Sequence, residues 1–238
     1  RLCSERRRCK LSLQQGVHDM TLTADTVVSS MLASIDRARV IKKPYPHWFL
    51  TSCLPSAAAT AINALPFEAP ALGGVSGKRE VHNATRKYFD ADNMARHLVC
   101  KAVNEAFQGP RLTARLAEAF GTTLKGNYLR VEYAQDTNGF WLEPHTDLGV
   151  KVFTMLLYLS TDPQHAGLGT DIYDADKKHV GTSPFESNGA MIFVPSGDTY
   201  HGFEPRQIDG VRKSVIINYV TNDWRAREQL AFPDSPIA

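Results

Sequence analysis

The sequence predicts an α+β protein in which an N-terminal helical layer packs on a jelly-roll core. Apolar residues recur at the three-to-four spacing of amphipathic helices in the first half of the chain. After Leu124 the pattern changes to two-residue alternation, and about eight short strand-like runs follow. Because helices bury a stripe and strands bury a face, this order favours helices packed on β-sheets. No internal repeat is evident.

The chain has the size and composition of one globular domain. At 238 residues, 43% of them hydrophobic, it can bury a full core. We assign residues 21–238 to a single domain, with helical support in 21–121 and the jelly-roll core in 122–224. Residues 1–20 hold five of the 27 basic residues and two of the 25 acidic ones, without an apolar run. They are predicted to be a disordered leader or tail.

The formal net charge of +2 comes from that leader. Without residues 1–20 the chain carries 22 basic and 23 acidic residues, so nothing in its charge favours nucleic acid or a membrane surface as a partner. It contains neither a signal-peptide core nor about 18 consecutive apolar residues for a membrane span, which favours a cytoplasmic location. The cysteines form no CxxC pair and are expected to be reduced thiols. They are Cys3, Cys9, Cys53 and Cys100.

Helices dominate the predicted first half. The first is predicted over residues 21–39, with Thr23 or Asp25 as its N-cap. The proline-rich stretch 43–50 follows and favours an edge strand. Further helices are predicted from Leu54 to Leu65, from Asp90 or Asp92 to Gln108, and from Gly109-Pro110 to Phe120.

Residues 68–91 interrupt the helices with glycines and mixed charges and show no clear period. A loop of this length is typical of a lid or a substrate-binding segment. The strands of the second half are predicted at residues 128–134, 151–160, 170–173, 179–183, 190–194, 199–203 and 212–221.

One short stretch carries a candidate metal site. In Glu143-Pro144-His145-Thr146-Asp147, the imidazole of His145 and the carboxylate of Asp147 are two positions apart. On an extended strand such residues project from the same face. Two histidines and one carboxylate are typical ligands of non-haem Fe(II). The third ligand is expected from a distant strand, and His201, which follows the apolar run 190–194, is the best candidate.

A candidate anion site follows His201 in the chain. Arg212 opens a predicted strand and shares one face with Ser214. A guanidinium fork beside a hydroxyl suits a carboxylate ligand.

The order HxD, distal His and then Arg about ten residues later resembles that of the Fe(II)- and 2-oxoglutarate-dependent dioxygenases, and the local sequence is most similar to their prolyl-hydroxylase-like branch. The resemblance implies a double-stranded β-helix, Fe(II) on His145, Asp147 and His201, and 2-oxoglutarate and O₂ as cosubstrates. It also implies that Arg212, helped by Ser214, binds the distal carboxylate of 2-oxoglutarate.

Further residues come from the same resemblance. Tyr158 matches a strand tyrosine that reaches the distal carboxylate, and Tyr133 matches one that lies beside the cosubstrate. Trp141 and Arg130 are candidates for the substrate entrance. The sequence departs from the family where Gly-Gly-Glu is usual, since residues 167–171 are Gly-Leu-Gly-Thr-Asp.

The expected activity is hydroxylation of a small molecule, such as an amino acid or a natural-product intermediate, with release of succinate and CO₂. Halogenating relatives carry Gly or Ala in place of Asp147, so hydroxylation is favoured, although desaturation and ring formation use the same three ligands. Two alternatives remain open: a prolyl-type hydroxylase of protein side chains, and a non-catalytic jelly-roll module that binds metal.

Overall fold

The computed structural model of the chain describes residues 22–72, 77–78 and 86–238. The predicted leader, residues 1–20, lies outside the described residues. So does most of the second half of the predicted lid segment, residues 73–76 and 79–85.

The α-helices of the described residues all precede the longest strands. Thr23 caps the first of them, as predicted, because its hydroxyl accepts a hydrogen bond from the backbone N–H of Thr26. The helices are α1 Ala24–Ile35, α2 Ser56–Asn63, α3 Ala91–Arg96, α4 Leu98–Gln108 and α5 Pro110–Phe120.

Two predicted helix boundaries are wrong. The first helix ends at Ile35, and Arg39 already begins a strand. The predicted helix up to Gln108 is interrupted at His97, whose backbone is extended with φ −129° and ψ 111°. The helical spacing of apolar residues continues on both sides of His97. The sequence pattern therefore does not indicate that the helix is interrupted there.

The strands form two antiparallel sheets. They are β1 Arg39–Ile41, β2 His47–Leu50, β3 Lys87–Tyr88, β4 Tyr128–Asp136, β5 Leu142–His145, β6 Lys151–Tyr158, β7 Asp171–Tyr173, β8 His179–Thr182, β9 Ala190–Phe193, β10 His201–Phe203 and β11 Arg212–Val220. The large sheet has the order β1-β2-β9-β6-β11-β4-β3, and the small sheet has the order β5-β10-β7-β8. The predicted mixture of helices and antiparallel sheets is confirmed, and the paired sheets are consistent with a jelly-roll core.

The two faces of the large sheet enter different cores. On β11, Val215 and Ile217 belong to a hydrophobic cluster that also contains Val103 and Leu116 from the helices. Because successive strand residues face opposite sides, Ile216 points the other way and packs on a second cluster. That second cluster draws side chains from both sheets, among them Leu156, Phe193, Ile172 and Phe203. No helix in the described part of the chain combines the length and apolarity that a bilayer crossing requires.

Candidate active site

A cavity opens beside the second cluster and contains most of the predicted site. Counted together with the open space at its mouth, the volume between its walls is about 760 Å³. Apolar walls, including Phe140, Leu156 and Phe203, surround the polar groups. The predicted site residues that line it are His145, Asp147, Tyr158, His201, Arg212 and Ser214.

The two histidines lie next to each other across a strand pair. His145 ends β5 and His201 begins β10, and the two are direct partners in the antiparallel register. Their ring centroids are 4.5 Å apart. A single strand pairing therefore brings together two histidines that are 56 positions apart in the sequence, and both line the cavity.

Backbone carbonyls select the same tautomer of both rings. Nδ1 of His145 lies 2.8 Å from the carbonyl oxygen of Glu143, and Nδ1 of His201 lies 3.0 Å from that of Thr199. A carbonyl oxygen only accepts, so each Nδ1 donates and each neutral ring carries its lone pair on Nε2. Burial, followed by the neighbouring His145, lowers the pKa of His201 to about 3. His201 is therefore neutral at physiological pH, as a metal ligand must be.

Asp147 is held differently. The predicted extended strand through this residue ends at His145, and Asp147 lies beyond it in an irregular segment. Its Oδ1 accepts from Nζ of Lys151 at 2.7 Å, and its Oδ2 accepts from Oγ1 of Thr154 at 2.6 Å. Both partners belong to β6, which fixes this carboxylate against the large sheet.

The donor types fit a divalent metal. Two imidazoles whose Nδ1 atoms bond backbone carbonyls and one buried carboxylate line one cavity, and two histidines with one carboxylate are the donor set of non-haem Fe(II) sites. Across residues 22–72, 77–78 and 86–238, however, no three His, Cys, Asp or Glu side chains are already grouped as a metal site. The carboxylate of Asp147 is paired with Lys151, and all three predicted ligands line the one cavity.

Arg212 also lines the cavity and is fixed by two acceptors. Its Nε donates to the carbonyl oxygen of Leu168 at 2.7 Å, and its Nη1 donates to Oδ2 of Asp136 at 2.6 Å. Its guanidinium also lies over the ring of Phe203, 4.8 Å from the centroid. Within the described residues no acceptor bonds Nη2 of Arg212, and this side chain lines the cavity. The guanidinium is thus fixed in orientation, and the two N–H groups of Nη2 can bond a ligand.

Sequence reasoning missed Asp136 and Arg86. Oδ1 of Asp136 accepts from Nη1 of Arg86 at 2.6 Å, so one carboxylate joins Arg86 to Arg212. The sequence motif Gln135-Asp136-Thr137-Asn138-Gly139 predicts a turn, whereas β4 continues to Asp136. The alternation on β4 could have revealed Asp136, which shares a face with Glu132.

These groups belong to a longer row of buried charges. Glu132 pairs with Nε of Arg86 at 3.3 Å and with Nη2 of Arg130 at 2.6 Å. Three guanidiniums thus alternate with two carboxylates, in the order Arg212, Asp136, Arg86, Glu132, Arg130. Among these five described side chains, the guanidiniums outnumber the carboxylates by one. A low-polarity wall with one excess positive charge suits an anionic ligand.

Tyr158 and Ser214 stand side by side on this wall as direct partners of β6 and β11. The Tyr158 hydroxyl donates to Oγ1 of Thr170 at 2.9 Å, so the Ser183 hydroxyl at 2.6 Å donates to Tyr158 in turn. Burial raises the pKa of Tyr158, and the phenol stays protonated. Tyr158 lines the cavity with its hydroxyl already bonded to protein groups.

Tyr133 is not brought to the cavity. It lies on the helix-facing side of β4, in the hydrophobic cluster shared with the helices, and its ring centroid is 5.9 Å from that of Phe67. The prediction of a contact with the cosubstrate is not supported by this position. Alternation along β4 separates Tyr133 from its cavity-facing neighbours, but it does not say which face is inside.

Arg130 and Trp141 do not line the cavity either. Arg130 is 1% exposed, and its guanidinium is stacked between the rings of Tyr88 and Trp224. Trp141 packs on Gly77, where a Cβ atom would lie 2.2 Å from the indole ring. Arg130 therefore belongs to the buried charges, and Trp141 holds part of the loop at residues 68–91 against β5.

Comparison of the sequence with protein-family models and with curated proteins finds no match. Solved structures do match. A Pseudomonas putida prolyl-4-hydroxylase shares 15% identity at a TM-score of 0.55, over 84% of this chain and 99% of that one. A Trichoplax adhaerens prolyl hydroxylase, in complex with a hypoxia inducible factor peptide fragment, shares 16% identity at a TM-score of 0.54, over 85% and 91% of the two chains.

A prolyl 4-hydroxylase from Phytophthora capsici shares 12% identity at a TM-score of 0.56, over 84% of this chain and 66% of that one. At these identities the likeness is one of fold. The chain therefore has the fold of these prolyl hydroxylases, in agreement with the fold that the sequence resemblance implies.

Proposed function

We propose that this chain is an Fe(II)- and 2-oxoglutarate-dependent oxygenase that hydroxylates a small molecule and releases succinate and CO₂. One observation carries the proposal. The paired imidazoles of His145 and His201 line the same cavity as the carboxylate of Asp147 and the fixed guanidinium of Arg212.

His145, His201 and Asp147 would hold the metal. Iron with 2-oxoglutarate and O₂ supplies the oxidising chemistry when bound. The backbone carbonyls that bond both Nδ1 atoms keep the Nε2 lone pairs directed away from those carbonyls. Binding requires the Asp147 carboxylate to serve the metal as well as its β6 partners.

Arg212 and Ser214 would bind the distal carboxylate of 2-oxoglutarate. The excess positive charge of the buried row matches a single carboxylate, and Asp136 holds the Arg212 fork in place before the ligand arrives. Phe140, Phe203 and Leu156 exclude water from the same space. The carboxylate of Asp147 takes the position that is Gly or Ala in halogenating relatives, so hydroxylation remains the favoured reaction.

The chain at Gly77, close to β5, supports a small substrate. The carbonyl oxygen of Gly77 accepts from the backbone N–H of Glu143 at 3.0 Å, and the ring of Trp141 lies on Gly77. Gly77 thus lies along β5. We infer that the chain at Gly77 narrows access to the cavity. We propose that Trp141 affects access to the cavity through its contact with Gly77.

A prolyl-type protein hydroxylase is the second candidate. The solved structures that share the fold are named prolyl hydroxylases, and one of them is in complex with a peptide fragment. We further propose that residues 21–238 form one domain in a cytoplasmic protein, in which the helices are a supporting layer for the large sheet, with residues 1–20 outside the domain.

Succinate release tests the proposal. Protein loaded anaerobically with Fe(II) is given 2-oxoglutarate and O₂, first with a panel of free amino acids and metabolites and then with proline-containing peptides. Substrate-dependent succinate with the first panel supports the small-molecule assignment, and succinate with the peptides alone supports the second candidate. Metal binding without succinate release under any condition would instead support a non-catalytic jelly-roll module that binds metal.

Three variants assign the roles. His145→Ala is expected to abolish turnover, because one metal ligand is lost. Arg212→Ala is expected chiefly to raise the 2-oxoglutarate concentration needed for half-maximal rate. His97→Ala, which removes an imidazole that packs on Phe67 outside the cavity, is the matched control and should keep activity. Unchanged cosubstrate affinity in Arg212→Ala would refute the role of that residue.

A further inference from the structure

Asp147 differs from the two histidines in what fixes its position. The backbone pairing of β5 with β10 holds His145 and His201. Asp147 lies beyond the end of β5, where no strand pairing continues. Its position in the cavity therefore depends on what holds its side chain, and Thr154 bonds Oδ2 from the neighbouring sheet at 2.6 Å.

Thr154 is the last member of a row that crosses three strands. Arg130 on β4 is the direct partner of Asn218 on β11, and Asn218 is the direct partner of Thr154 on β6. Side chains at paired positions project from the same face of a sheet. The row consequently crosses the cavity face of the large sheet from β4 to the carboxylate of Asp147.

The hydrogen bonds in the row can run in only one direction. A guanidinium only donates, so the atom of Asn218 that lies 3.2 Å from Nη1 of Arg130 is its carbonyl oxygen. The amide nitrogen of Asn218 then donates to Oγ1 of Thr154 at 2.9 Å. The single proton of Thr154 is left to donate to Asp147. Each group thereby fixes the orientation of the next.

The row is buried and anchored at its far end. Arg130, Asn218 and Thr154 are at most 1% exposed. Nε of Arg130 donates to Gln229 at 3.0 Å, and its Nη2 pairs with Glu132 at 2.6 Å. A buried amide and a buried hydroxyl would each be costly without partners, so their mutual satisfaction favours one arrangement over others.

We propose that Thr154 and Asn218 are positioning residues, through which Arg130 holds the Asp147 carboxylate in the orientation that metal binding needs. This inference rests on the proposed function. Oδ2 is committed to Thr154, and Oδ1, which pairs with Lys151, is the oxygen offered to a metal. Arg130 acts through this row and does not touch substrate.

Binding of Mn(II) to the metal-free protein tests the proposal, with free Mn(II) followed by electron paramagnetic resonance. Thr154→Val keeps the shape of the side chain and removes its hydroxyl, and we expect affinity to fall about 10- to 100-fold, the usual effect of losing an outer hydrogen-bond partner of a metal ligand. Thr154→Ser restores the hydroxyl and should restore affinity. Asn218→Leu should also lower Mn(II) affinity. It is the variant that tests the row if Thr154→Val does not fold.

Thr113→Val is the matched control. Thr113 is also a buried threonine, 4% exposed, but its hydroxyl bonds the carbonyl oxygens of Gly109 and Pro110 at the start of α5. Removing that hydroxyl should lower the melting temperature without changing Mn(II) affinity. A merely structural role for Thr154 would give the same result as this control.

The outcomes separate the two proposals. If the wild-type protein binds Mn(II), His145→Ala does not, and folded Thr154→Val binds as tightly as wild type, the positioning role is overturned and the proposed function stands. If wild type fails to bind, or His145→Ala binds equally well, the proposed metal site is wrong and the positioning role is lost with it.

Discussion

Lys151 and Thr154 of β6 both bond the carboxylate of Asp147, and we expect them to affect metal binding in opposite directions. Thr154 donates to Oδ2 of Asp147 and carries no charge, so it can stay in place when a metal binds. Lys151 donates to Oδ1 at 2.7 Å and brings a positive charge to the oxygen that a metal would use. Lys151 and a divalent cation therefore compete for one site.

Lys151→Met is expected to raise Mn(II) affinity. A cation near the ammonium is repelled by about 4 kcal/mol for each pair of unit charges at 4 Å, with an effective dielectric constant near 20. Methionine keeps much of the volume without the charge, and a gain of about tenfold, or about 1.4 kcal/mol, is a conservative expectation. Titration of the metal-free protein with Mn(II) measures it.

Lys213→Met is the charge-matched control, because Nζ of Lys213 bonds the carbonyl oxygen of Asn63 and this residue does not line the cavity. Its Mn(II) affinity should equal that of wild type. Equal or weaker binding by Lys151→Met would show that the ammonium does not compete with the metal.

The two described thiols should resist alkylation in the folded protein. Burial raises the pKa of Cys53 and of Cys100 to about 12 each, so at pH 8 almost none of either thiol is the reactive thiolate. We expect iodoacetamide to modify both residues only after unfolding in urea, with peptide mass spectrometry as the readout. Equal rates in the folded and unfolded protein would contradict the burial of these side chains.

At the scale of elements, the β5–β10 pairing positions the two histidines, and Gly202 allows the strands to approach. A Cβ atom at Gly202 would lie 2.8 Å from the carbonyl oxygen of Leu142. Since Gly202 directly follows His201, any shift of β10 to relieve that contact also displaces the imidazole.

Gly202→Ala is therefore expected to lower stability by about 1–3 kcal/mol and to weaken Mn(II) binding. Urea unfolding and the metal titration check the two effects. Gly181→Ala is the control, because Gly181 lies on β8 of the same sheet and a Cβ atom there meets nothing within 4 Å. Wild-type metal affinity in Gly202→Ala would mean that the strand spacing does not position His201.

Asp171 anchors β7 to the segment that follows β10. Burial alone would raise its pKa, but Arg206, the backbone N–H of Glu204 and the hydroxyl of Thr182 outweigh burial and lower it. A carboxyl whose pKa is lower in the folded state stabilises the fold above its unfolded pKa. That contribution is lost as the pH falls through the folded pKa.

We expect the free energy of unfolding to decrease below about pH 4. Asp171→Asn should cost about 3 kcal/mol at neutral pH, since Arg206 loses its buried partner, and should flatten the acid limb of the stability curve. Urea unfolding at several pH values measures both. An unchanged acid limb in Asp171→Asn would assign the acid sensitivity to other carboxyls.

At the scale of the whole molecule, one hydrophobic cluster joins the helices to the large sheet. Leu116 of α5 is fully buried in that cluster, together with Val131 and Ile217 of the sheet. The Tyr219 hydroxyl adds a bond from β11 to the carbonyl oxygen of Phe107 in α4 at 2.5 Å. The helices and the sheet are thus expected to unfold together.

Leu116→Ala should lower the free energy of unfolding by about 2–5 kcal/mol through loss of burial and creation of a cavity. Circular dichroism and tryptophan fluorescence should follow one common urea transition. Leu98→Ala is the control, because Leu98 is a helical leucine that is 64% exposed. Two separated transitions would show that the helices fold independently of the sheet.

The features that the sequence predicts correctly depend on residues that are close together in the chain. Thr23 has the chemistry of an N-cap, and alternation in residues 128–134 and 212–221 marks the long strands, because helix caps and strand faces depend on neighbours a few positions away. The order His145, Asp147, His201, Arg212 was enough to predict a common site, and the structure brings all four residues to one cavity.

The amino-acid sequence alone thus determined the type of each main element and the donor set of the candidate site. Only the tertiary structure decided that Lys151 and Thr154 hold Asp147, that Asp136 joins Arg86 to Arg212, and that Tyr133 faces the helices. The physical reason is that alternation tells which residues share a face of a strand, whereas strand pairing between distant segments decides what that face meets.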